Sequence, residues 1–137
     1  MTETLVRTAG LLQLALAAGS LAIPRLLGWK DETSRLRPLC RQVFWIYAAY
    51  ILATHVAFGL LSALSASALL DGSLLAAAVT GFITLWWAAR LALQFLYFDR
   101  GGFPAGRWYR LGETALVTLF VFLSAVYGGA FVVNLRP

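Results

Sequence analysis

An all-α integral membrane protein, a four-transmembrane-helix bundle with short loops and both termini on the same side, is the fold class that three observations predict. Of 137 residues, 61% are hydrophobic and 12% charged, and the mean hydropathy is +0.78. That leaves too little polar surface to clothe a water-soluble globule. Four apolar runs, at about residues 5–23, 42–70, 73–99 and 111–135, approach or exceed the ~20 residues that a helix needs to cross ~30 Å of hydrocarbon. The charges gather mostly between these runs, and Arg90, well inside the third, is the exception that the rest must accommodate. No internal repeat or second domain is visible, so residues 1–137 read as a single transmembrane domain.

The first run carries Arg7 near its start and Gln13 deep inside, and Pro24 marks its end or a kink. Ala15, Ala17 and Ala18 imitate a signal-peptide cleavage site, but cleavage would leave a strongly basic loop outside, against the orientation rule. The segment after Pro24 mixes Leu26, Leu27, Trp29, Leu36 and Leu39 with charges and reads as a short amphipathic elbow along the headgroups. Pro38 suits the first turn of the next helix, where its missing N–H costs nothing. In the second run, Gly59, Ser62, Ala63, Ser65, Ala66, Ser67 and Ala68 permit close helix approach. Ala76, Ala77, Ala78 and Gly81 in the third run match them across a tight Asp71-Gly72-Ser73 connection, which predicts an antiparallel hairpin of the second and third helices.

The third run reaches ~39 Å at ~1.5 Å per residue, more than the hydrocarbon thickness, and places Arg90 ~13 Å from Asp99. The glycines and Pro104 that follow make a loop, without the strand or spacing of a nucleotide fingerprint. The fourth run offers another small-residue strip at Ser124, Ala125, Gly128 and Gly129.

Four spans put Arg25, Lys30, Arg35, Arg37, Arg41, Arg100, Arg107 and Arg110 on one side and only Arg7 and Arg136 on the other. The asymmetry places the basic loops in the cytoplasm and both termini outside, in a plasma membrane or bacterial inner membrane. Trp29, Trp45, Tyr97, Trp108 and Tyr109 fall at the same boundary as an aromatic belt. The eight basic residues are candidate contacts for anionic lipid headgroups, not for nucleic acid.

Gln13, His55, Trp86, Arg90, Gln94 and Glu113 form the candidate polar core or ligand site. Glu113 enters the fourth span from the side that Arg90 approaches, so an Arg90–Glu113 pair is expected. His55 has Gln13, Thr84 and Ser124 at comparable depth as hydrogen-bond partners. One His and one Cys, Cys40, cannot complete a zinc site. Bis-His haem is excluded within one chain, which leaves five-coordinate iron or a dimer. A serine–histidine–acid set has no acid at the depth of His55, and Asp31 and Glu32 read as partners of Lys30 and Arg35. Two functions stay open. One is a non-enzymatic accessory, assembly or homo-oligomeric membrane subunit. The other is a membrane-embedded binding or redox module for quinone, haem or lipid at His55, Trp86 and Arg90.

Overall fold

In the computed structural model, which describes residues 2–98, 101 and 105–136, the chain is all-helical, with no strand among the described residues. The elements are α1 (Glu3–Ser20), α2 (Ile23–Leu26), α3 (Trp29–Ser34), α4 (Pro38–Leu64), a 3-10 turn (Ala68–Leu70), α5 (Leu74–Leu96) and α6 (Arg107–Asn134). Four helices are long and apolar enough to cross a membrane: α1 continued through α2, then α4, α5 and α6.

Each long helix buries a narrow stripe. On α1 the buried residues Val6, Ala9, Gly10, Gln13 and Ala17 recur every three to four positions, so one face turns inward. The same spacing buries Ala76, Thr80, Ile83 and Trp87 on α5, and Phe120, Leu123, Tyr127, Ala130 and Asn134 on α6. On α4 only Gly59 and Ser62 are buried, both in its last two turns. Large apolar side chains such as Leu74, Leu85 and Leu96 are left outside.

The packing partners differ from those that the small-residue strips suggest. Gly59, Ser62 and Ala63 of α4 face α1: a β-carbon on Gly10 would lie 2.6 Å from the Ala63 amide nitrogen and 2.8 Å from the Gly59 carbonyl oxygen. The strip of α5 faces α6, with Gly81 against the Phe131 ring and Gly128 against the Thr84 methyl. The molecule is therefore two close-packed pairs, α1 with α4 and α5 with α6, and not a tight α4–α5 hairpin. The cause is local. Helix α4 ends at Leu64 instead of running to residue 70, and the 3-10 turn that follows displaces the chain before α5 begins.

That crossing is pinned at several points. Gly72 takes φ +75°, a conformation glycine adopts without strain, and its amide donates to Asn134 Oδ1 at 3.1 Å. Asn134 Nδ2 donates to the Leu69 carbonyl at 2.9 Å, which ties the end of α6 to the turn. Ser73 caps α5 by accepting from the Ala76 amide at 3.0 Å. The Ser73 hydroxyl and amide hold the exposed Asp71 carboxyl below the usual carboxylate range.

At the other end, Pro38 opens α4 as expected, and Pro24 lies in the first turn of α2. The elbow is two short helices, and Trp29, Phe44 and Trp45 make mutual edge-to-face contacts with centroids 5.0 to 6.0 Å apart. Trp45 Nε1 donates to Thr33 Oγ1 at 3.3 Å, fastening α3 to α4. Asp31 and Glu32 occupy the first turn of α3, where the helix dipole favours them. Asp31 and Glu32 offset the charges of Lys30 and Arg35 only as neighbours in sequence, since no ion pair within 4 Å joins them.

Candidate functional site: three polar centres between the helices

The deepest centre takes one side chain from each long helix. Gln13 of α1 donates its amide to the Tyr127 hydroxyl of α6. The Gln13 carbonyl oxygen accepts from Trp87 Nε1 of α5 at 3.1 Å. Tyr127 Oη and Ser62 Oγ of α4 share a hydrogen bond of 2.6 Å. All four residues are fully buried. A neutral amide suits the junction because it donates and accepts at once, where a carboxylate could only accept.

A second centre surrounds His55. Its imidazole stacks on Trp87 with centroids 4.9 Å apart and meets Trp86 edge-on at 6.0 Å. Trp86 Nε1 donates to His55 Nε2 at 3.2 Å. Because Nε2 accepts, the geometry assigns the neutral ring's proton to Nδ1. Trp86, and not Gln13, Thr84 or Ser124, is thus the partner. Gln13 is committed to the junction, Thr84 donates to the Thr80 carbonyl, and Ser124 donates to the Phe120 carbonyl. Trp86 also packs against Phe58 and Phe82. The His55 Nε2 lone pair that an iron would need is engaged by the Trp86 N–H, so coordination through that atom requires Trp86 to move.

The third centre holds the arginine. Phe120 stacks on Trp87 at 5.4 Å, and Arg90 Cζ lies 5.0 Å from the Phe120 centroid and 5.1 Å from that of Phe98. Contact with two aromatic rings stabilises a partly desolvated guanidinium by about 0.5–2 kcal/mol per contact. Arg90 Nη1 donates to Gln94 Oε1 at 3.2 Å, and Gln94 Nε2 donates to Glu113 Oε1 at 3.2 Å. The expected Arg90–Glu113 association therefore runs through an amide, with no direct contact within 4 Å. Arg90 and His55 are partly buried, whereas Gln94 is buried. On an ideal helix the sequence leaves Gln94 at the edge of the stripe formed by Trp86, Arg90 and Tyr97. The structure makes it the bridge.

This bridge has a measurable consequence. The coupling energy between Arg90→Ala and Glu113→Ala, read by unfolding in detergent, is expected to exceed ~0.5 kcal/mol in the parent and to vanish in a Gln94→Leu background. Equal coupling in both backgrounds would show that the two charges interact without the amide.

Of the basic residues, Arg25, Lys30, Arg35, Arg37, Arg41, Arg107 and Arg110 are all exposed, and none pairs with a carboxylate among the described residues. Arg100 lies outside the described residues. The three centres thus gather Gln13, His55, Trp86, Arg90, Gln94 and Glu113 but divide them, with Trp87 as the shared wall between the first two. Sequence reasoning did not single out Tyr127 as a hub, nor Ser62 and Asn134 as hydrogen-bonding groups. An amide in the last turn of the last span, opposite the Asp71 turn, was the available signal for Asn134. No group of three His, Cys, Asp or Glu side chains suited to a metal ion occurs among the described residues. In comparisons with protein-family models, with curated proteins and with solved structures, the chain matches none.

Proposed function

We propose that the chain is an integral protein of a bacterial inner membrane, with both termini outside and basic loops in the cytoplasm, acting as a non-enzymatic accessory, assembly or self-associating subunit. One observation carries the reading. Every buried polar side-chain atom of the described residues has a hydrogen-bond partner within the protein, whereas α4, the least buried of the four spans, leaves Ile46, Tyr47, Tyr50 and Ile51 exposed along one stretch. Groups used up in packing have no donor or acceptor to spare for chemistry, and an aromatic-rich helix face is suited to another helix. The basic loops support the orientation. Arg107 and Arg110 sit in the first turn of α6, which holds no acid, a placement that the helix dipole disfavours and that cytoplasmic retention of positive charge would favour.

The lone cysteine makes the test direct. Cys40 is exposed in the first turn of α4. A membrane-impermeant maleimide should label it in inverted vesicles and spare it in intact spheroplasts, and a cysteine at Thr2 in a Cys40→Ser chain should behave oppositely. A cysteine at Tyr50 in the same chain should cross-link to a second copy or to another membrane protein. Reversed labelling would sink the orientation, and a monomer that never cross-links in its native membrane would sink the subunit role.

A second reading is favoured by the arginine itself. Among the described residues Arg90 makes a single hydrogen bond, and His55 and Trp86 near it are partly exposed. Its remaining donors and the His55 Nδ1–H suit the carbonyl of a quinone or the phosphate of a lipid, a better match than haem at the engaged Nε2. A visible spectrum and mass spectrometry of the lipid extract from purified protein separate these: a stoichiometric quinone favours this reading, and a colourless, quinone-free oligomer favours the first.

A further inference from the structure

We propose that the groove between α1 and the first half of α6 seats one acyl chain of an anionic phospholipid whose phosphate is held at Arg107. The inference rests on the membrane reading above and adds to it a defined lipid site. The groove, about 440 Å³, is lined by Leu12, Ala115, Thr118, Leu119 and Phe122. The hydrogen bond that joins α1 to α6, Gln13 with Tyr127, lies farther along α6 than this lining. The lining offers water too little to hold it: the one hydroxyl, on Thr118, donates to the Thr114 carbonyl at 2.8 Å and has only its oxygen left to accept, where an ordered water needs two to four polar partners. Hydrocarbon must fill the space, since an apolar void forfeits its dispersion contacts.

The choice of a phospholipid over a second helix comes from charge. Positions 107, 111, 115, 118 and 122 recur at three- and four-residue spacing, so Arg107 and Leu111 continue the face of α6 that lines the groove. Arg107 lies ~12 Å from Ala115 and ~22 Å from Phe122 along the axis, so the groove itself spans ~10 Å and its far end lies about one leaflet's depth from the guanidinium. Arg107 is exposed and has no carboxylate partner among the described residues. Next to it, Trp108 is 80% exposed, as an aromatic at the headgroup level would be. A helix laid in this groove would set apolar side chains beside a guanidinium that has no carboxylate partner among the described residues. A phospholipid supplies an anion there and hydrocarbon beyond.

The test is native mass spectrometry of the full chain, reconstituted in vesicles of phosphatidylcholine mixed with phosphatidylglycerol and released into mild detergent. The parent should retain one phosphatidylglycerol. Arg107→Ala should weaken its apparent affinity, read from occupancy across a phosphatidylglycerol titration, about fivefold, as loss of about 1 kcal/mol per surface cation implies. Ala115→Phe, which fills the groove without touching a charge, should displace it equally, whereas Arg35→Ala should leave it in place. Retention unaffected by Ala115→Phe, or lowered as much by Arg35→Ala as by Arg107→Ala, would overturn the site and leave only a diffuse basic rim. Recovery of the chain in water without detergent would instead defeat the membrane reading on which the site depends.

Discussion

Replacing Gly10 by leucine is expected to force α1 away from α4 and to cost about 3 kcal/mol or more in stability, the upper end of what overpacking produces. The reason lies in what the new side chain would meet. Its first carbon alone would fall 2.6 Å from the Ala63 nitrogen, 2.8 Å from the Gly59 oxygen and 2.9 Å from the Ser62 β-carbon. Backbone atoms cannot rotate aside, so relief comes only from moving a whole helix, and the α1–α4 contact is the principal one that α4 makes. Gly19, on the same helix, supplies the control: a β-carbon there meets nothing within 4 Å, so Gly19→Ala should lie between no effect and about 1 kcal/mol of gain. Unfolding in mixed detergent micelles compares the two. A mild Gly10 variant would mean that α1 and α4 do not pack through their backbones.

How far the fold was legible follows from which signals are local. Four long apolar helices, Pro38 at a helix start and the Asp71-Gly72-Ser73 lead into α5 are local signals, and each appears in the structure, although α4 stops at Leu64, short of the expected residue 70. The pairing of helices is not local. Gly59 and Ala63 announce close approach without naming the partner, and adjacency in the chain pointed to α5 when α1 was the answer. What redirected them was the end of α4 at Leu64. Ser65, Ser67 and the small residues around them were read as more helix, whereas they form the break and the 3-10 turn held by Asn134. The site shows the same division. Polar residues inside apolar runs were conspicuous, so Gln13, His55, Arg90, Gln94 and Glu113 could be marked from the sequence. Tyr127, on the stripe that Glu113 heads, and Trp87, at mid-depth, are visible too, but each has an apolar body and one polar atom, and nothing local says which group that atom meets. Arg90 was expected to seek its opposite charge directly. Two phenylalanine rings and an amide lie within easier reach.

The second large effect belongs to the amide where the four long helices meet. Gln13→Met keeps the length of the side chain and removes both its donor and its acceptor, leaving Trp87 Nε1 and Tyr127 Oη each one partner short in a fully buried place. Interhelical hydrogen bonds in membrane proteins average ~0.6 and reach ~1.7 kcal/mol, which for two bonds gives about 1–3 kcal/mol. The upper part of that range applies because the partners are enclosed: neither lipid nor a second protein group can replace what is lost, and an unmade buried bond costs about 1–3 kcal/mol by itself. Tyr127→Phe should cost about the same, since it deletes the bonds to Gln13 and Ser62 together. The double variant should be milder than the sum by ~0.5 kcal/mol or more, because the Gln13–Tyr127 bond can be removed only once. Additive losses would show that the two side chains stabilise the bundle independently. Gln13→Glu discriminates further. A protonated carboxyl could reproduce the amide's donor and acceptor pair, but a carboxylate could only accept, so its loss should grow as pH rises through the carboxyl titration, while Gln13→Met stays flat. If both variants are flat with pH, the position is not the enclosed junction described here.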